Sequence, residues 1–100
     1  MSYGLKDETV EKINSILARS PEVDEAILYG SRAKGNFRPG SDIDLTLKGK
    51  GLNLHLLNTI SLALDDLLLP YHVDLSIFHQ IDNPDLIAHI ERVGRIFYHK

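Results

Sequence analysis

"YGSRAKGNFRPGSDIDLTL", residues 29–47, joins two kinds of local order through a loop. The second half, "SDIDLTL" over 41–47, alternates strictly. Ile43, Leu45 and Leu47 point one way, and Asp42, Asp44 and Thr46 point the other. That is the period of a strand with one buried face. The first half leaves a short apolar run at Gly30, a residue that lets the chain turn where a side chain would block a ligand. Between the halves, 31–41 carries Gly35, Pro39 and Gly40 together with Arg32, Lys34 and Arg38. This is the composition of a loop, with room for a helical turn at its start.

Working outward, "VDEAILYG" over 23–30 reads as a buried strand ending at Gly30. Upstream, residues 7–19 form an amphipathic helix on Val10, Ile13, Ile16 and Leu17, with Asp7 and Glu8 at its positive end. Ser20-Pro21 stops it. Downstream, "KGKG" at 48–51 is a turn, and 53–69 is the longest helix candidate, closed by Pro70. Its leucines exceed what one buried stripe needs. The surplus suits either a small core or an interface, homo- or hetero-oligomeric.

"YHVDLSIF" over 71–78 is a third alternating strand, with Val73, Leu75 and Ile77 set against His72, Asp74 and Ser76. Asn83-Pro84 opens a last helix on Leu86, Ile87, Ile90 and Val93, and Gly94 closes it. "RIFYH" over 95–99 supplies a short final strand. The order predicts an α/β (α+β) domain over 1–100, a small mixed sheet with helices packed on one face.

The 100 residues are 43% apolar and 25% charged, with a net charge of −3 and no cysteine. Disulfides, thiolate metal sites and cysteine nucleophiles are excluded. The acidic balance argues against nucleic acid as a broad electrostatic partner. The N-terminus lacks an apolar signal core and no apolar run reaches membrane-spanning length. The expectation is a cytoplasmic protein without a membrane role.

Asp42 and Asp44 leave the same strand face, about 6.6 Å apart at the backbone. Asp74 lies on the matching face of the next strand candidate. If those strands are neighbours, three carboxylates converge opposite the core. Oxygen-only donors of this kind suit Mg²⁺ or Mn²⁺, which bind through a few carboxylates plus phosphate and water. Aspartates on an outward strand face are equally ordinary on a solvated sheet. Asp74 and the upstream Gly30-Ser31 favour the metal reading.

Ser31 offers a hydroxyl and a backbone N–H to an anion. Arg32, Lys34 and Arg38 either neutralise phosphate or lie in solvent. With Arg32 and Ser41 from the two ends of the loop, the candidate nucleotide-binding set is Gly30, Ser31, Arg32 and Ser41. "GSRAKGN" lacks the Lys-Ser/Thr of a Walker loop, there is no G-x-G-x-x-G, and "DIDLTLKGKGLN" does not fit an EF-hand. His55, His79, His89 and His99 show no ligand spacing and read as surface or edge residues. His72 shares the predicted face of Asp74, and Tyr29 reads as packed.

Gly30-Ser31, ten residues, then Asp42-Ile43-Asp44 resembles the G-S-x10-D-x-D motif of the DNA polymerase β-type nucleotidyltransferases. "YGSRAKGNFRPGSDIDL" is similar to the wording of their minimal nucleotidyltransferases along its whole length. The resemblance implies that Gly30 and Ser31 bind the triphosphate of ATP or another NTP. It implies that Asp42, Asp44 and Asp74 hold two Mg²⁺ ions, with Mn²⁺ as the alternative. Asp74 would also help activate the attacking hydroxyl. Members of this type pair with small helical HEPN toxins and act as their antitoxins, and can transfer AMP from ATP to a toxin tyrosine. The short chain is then expected to receive its acceptor from a partner protein. Two other readings stand beside this one: a binding module that neutralises its partner by occlusion, and a transferase acting on RNA or a small molecule.

Overall fold

The computed structural model describes residues 2–100. The chain runs α1 (Asp7–Ala18), β1 (Glu25–Tyr29), α2 (Gly30–Lys34), β2 (Ile43–Lys48), α3 (Leu54–Asp65), β3 (Val73–Ile77), a 3₁₀ turn (Phe78–Gln80), α4 (Pro84–Val93) and β4 (Arg95–His99). The four strands form one sheet in the order β3-β2-β1-β4. β1 is antiparallel to both β2 and β4, while β2 and β3 run parallel. A parallel pair needs a long crossover, and α3 is the element that makes it.

Alternation along the strands creates two cores. Ala26, Leu28, Ile43, Leu45, Leu47 and Ile77 face a large cluster with Ile13, Ile16 and Leu17 of α1 and Ile60 and Leu64 of α3. Each fully buried leucine there contributes about 1.5–3 kcal/mol. The opposite face of β1 presents Ile27 and Tyr29, which pack with Ile90 of α4 and with Phe78, Ile81, Leu86 and Val93. The mixed sheet and the α/β class are as the sequence predicts. The helices, however, are not all on one face: α1 and α3 cover one side and α4 partly covers the other.

α4 is set by its cap. Asn83 Oδ1 accepts from the N–H groups of Asp85 (3.0 Å) and Leu86 (3.3 Å), and Pro84 occupies the first helical turn. Replacing Asn83 by Ala is expected to cost about 1 kcal/mol. In a domain of this size that lowers the melting temperature by about 5 °C, which a thermal denaturation reads directly. At the other end Gly94 has φ −58°, outside the left-handed region expected of a helix-closing glycine. Glycine is required there for space, since a Cβ would overlap Ile90 O and crowd Ile27 Cγ2.

Candidate active site

The register of the sheet aligns three side chains in one row. Tyr29 of β1 is opposite Asp44 of β2, and Asp44 is opposite Asp74 of β3. Side chains level with one another on adjacent strands share a face. Asp42 lies just before β2, two residues from Asp44, and is exposed. Asp74 therefore stands beside Asp44, on the open border of the sheet.

None of the three carboxylates forms a salt bridge among the described residues. Asp44 is half-buried. Burial raises its pKa most, and the charges of Asp74 and Asp42 add to this, while His72 pulls it down. A carboxyl whose folded pKa is raised binds more protons folded than unfolded. Stability is then lost as pH rises from the ordinary Asp value, about 3.9, through the raised one. Asp44→Asn removes this penalty. The variant is expected to melt above the wild type at neutral pH without metal, and the difference should vanish near pH ~3. Paired thermal melts at the two pH values check it.

The glycine-serine turn is built against this row. Gly30 has φ +74°, and a Cβ there would overlap Asp44 Oδ2. Only glycine brings the turn this close to the carboxylate. Ser31, half-buried, follows in the first turn of α2.

The loop from α2 to β2 is held by a residue read from sequence as a phosphate ligand. Arg32 is only 1% exposed. Its Nη1 donates to Tyr3 O (2.9 Å), its Nη2 to Ser41 O (2.8 Å) and Pro39 O (3.2 Å), and its Nε to Ser41 O (3.1 Å). The guanidinium also lies over the rings of Phe37 and Tyr71, at 5.2 and 4.8 Å from their centroids. With its donors committed to backbone carbonyls, Arg32 does not reach for phosphate; it fixes the loop that delivers Asp42. Ser41 is engaged in the same way, its hydroxyl accepting from the Arg38 N–H at 2.8 Å. The side chains of Lys34 and Arg38 are exposed.

Two neighbours of the site are not read as site residues from the sequence. His89 of α4, read as a surface or edge residue, accepts a hydrogen bond from the Gly30 N–H at 3.1 Å. Tyr29 is packed as expected, but its ring belongs to the site row. Burial and the charges of Asp74 and Asp44 push its phenol pKa up, and the adjacent Ser76 draws it part of the way back. Ser76 Oγ is close to that phenol yet makes no hydrogen bond of ordinary geometry, and Thr46 Oγ1 is likewise buried without a partner.

The donor set fits a hard divalent cation: carboxylate oxygens, an excess of negative charge and, among the described residues, no ion-paired protein cation. The side chains as they stand are not drawn into a finished cage. Among the described residues no three of His, Cys, Asp and Glu are grouped closely enough to hold an ion.

The family model for "Polymerase beta, Nucleotidyltransferase" matches residues 11–100. A chain in the crystal structure of a toxin-antitoxin with AMP-PNP is similar, with a TM-score of 0.74 and 22% identity over 91% of this chain and 73% of that one. So is one from tri-AMPylated Shewanella oneidensis HEPN toxin in complex with MNT antitoxin, with a TM-score of 0.71 and 18% identity over 96% and 74%. A chain of the toxin-antitoxin MntA-HepT gives a TM-score of 0.69 and 18% identity over 95% and 74%. At these identities the likeness carries the fold alone. No curated protein is similar enough to match.

Proposed function

Because the chain belongs to the polymerase beta nucleotidyltransferase family, we propose that it transfers AMP from ATP to a tyrosine hydroxyl of a small helical HEPN-type toxin. In doing so it acts as the toxin's antitoxin. The observation that carries this reading is the alignment of Asp44 with Asp74 across β2 and β3, with Gly30 closed against Asp44. The nucleotide and the acceptor class are drawn from similar structures, one with AMP-PNP and one with a tri-AMPylated HEPN toxin.

Asp42, Asp44 and Asp74 would hold Mg²⁺, or Mn²⁺, which offsets phosphate charge as the phosphoryl bond changes hands. Ser31, in the turn that Gly30 permits, anchors the triphosphate through its hydroxyl. The acceptor oxygen bonds to the α-phosphorus as the bond from that phosphorus to the bridging oxygen breaks, and pyrophosphate leaves. Asp74 would take the hydroxyl proton. Arg32 acts through the loop, keeping Asp42 in reach of Asp44. A cytoplasmic setting suits such an antitoxin, and no helix among the described residues is long and apolar enough to cross a membrane.

The test is incubation with ATP labelled at the α-phosphate, Mg²⁺ and the candidate toxin. Label is expected on the toxin, at tyrosine, and none with ATP labelled at the γ-phosphate. Neutralisation of the toxin without any label would instead favour occlusion and sink the catalytic reading.

A further inference from the structure

The Gly30 N–H has a single hydrogen to give, and the fold has already committed it. Gly30 is the first residue of α2, so its amide has no acceptor within the helix. The acceptor comes from 59 residues away: His89 Nε2, at 3.1 Å. Nε2 is the accepting nitrogen, which leaves Nδ1 as the ring's donor. The ring is not free to drift. It meets Tyr29 edge-on, with centroids 6.2 Å apart and planes at 82°, and Tyr29 is only 8% exposed. The next residue, Ile90, is buried in the core that α4 shares with β1.

We infer that His89 is a positioning residue of the site: it takes up the Gly30 amide and fixes the glycine against Asp44, leaving Ser31 to meet the triphosphate. This rests on the nucleotidyltransferase reading given above. It divides the labour within the Gly-Ser pair. Gly30 contributes a missing Cβ, which gives Asp44 Oδ2 its space, while its amide serves the scaffold. Ser31 contributes the polar contact. Losing the His89 acceptor lets Gly30 shift, and with it the surface on which the Asp44 carboxylate rests. Such a displacement falls on the chemical step more than on nucleotide affinity.

Two variants test this in the intact chain. His89→Phe keeps a ring against Tyr29 and removes the acceptor; His89→Gln restores one. In His89→Phe the Gly30 amide is expected to exchange with solvent about fivefold faster, as one lost hydrogen bond implies. The kcat for label transfer should fall about tenfold while KM for ATP stays within about twofold. His89→Gln should recover most of both. On adding Mg²⁺ and AMP-PNP to the wild type, the Ser31 amide should gain protection from exchange and the Gly30 amide, already bonded to His89, should not.

Unchanged Gly30 exchange in His89→Phe would overturn the inference. So would a Gly30 amide that gains protection along with Ser31, or a Gln variant as impaired as the Phe variant. If the wild-type chain transfers no label, that failure falls on the proposed reaction. The exchange measurements then still decide the role of His89.

Discussion

Asp44→Asn is expected to lower AMP transfer at least about a thousandfold, equivalent to about 4 kcal/mol of transition-state stabilisation. Asparagine has the shape of aspartate without its charge, so the fold survives and the chemistry does not. Asp44 is the centre of the row: it is level with Asp74, two residues from Asp42, and closed over by Gly30. A hard divalent cation takes carboxylate oxygens at such a position, and a neutral amide is a poor substitute. The same substitution is expected to stabilise the metal-free protein at neutral pH, for the electrostatic reason given above. Loss of activity with a higher melting point separates a catalytic role from a structural one. Transfer rates at saturating ATP and Mg²⁺, measured beside thermal melts, check both. Retention of more than about a tenth of the wild-type rate would remove Asp44 from the mechanism. Asp42→Asn should fall in the same direction.

Arg32→Met is expected to destabilise the fold strongly, by about 3 kcal/mol. The methionine fills part of the volume, yet the carbonyls of Tyr3, Pro39 and Ser41 lose their donors. Tyr3 and Ser41 are half-buried and Pro39 is exposed, so water can replace part of what is lost, and each broken hydrogen bond costs about 1 kcal/mol. The midpoint of thermal unfolding should drop by about 15 °C or more. Arg32→Lys should not rescue it, because one ammonium cannot reproduce a planar fork that serves three carbonyls between two rings. A lysine variant melting within a few degrees of the wild type would mean that the fork geometry is unimportant. Since this loop also carries Ser41 into Asp42, the loss of order and the loss of transfer should appear together.

The alternating stretch at 41–47 and its partner at 71–78 made β2 and the edge strand β3 legible, because a period of two with one apolar face has few other solutions. The buried run ending at Gly30 was equally plain. What stayed hidden depended on contacts between distant segments. Nothing near Arg32 says that its side chain folds back under its own loop; by composition it is one of three cations in a phosphate-like setting. His89 meets Gly30 only because α4 crosses the far face of β1, and that placement is absent from local periodicity. Thr46, read as outward with the aspartates, is fully buried, level with Ile27 on one side and Ser76 on the other. The long leucine-rich segment runs as a helix only to Asp65, and Leu68 beyond it has φ +53°. Abundant leucine there obscured where the helix stopped.

The contact between positions 30 and 44 has a consequence for how this chain can vary over time. A side chain at 30 would be strained by the left-handed φ of +74° and would push the Asp44 carboxylate aside. Any drift at 30 is therefore felt at once by the acid at 44, and the two positions are constrained together.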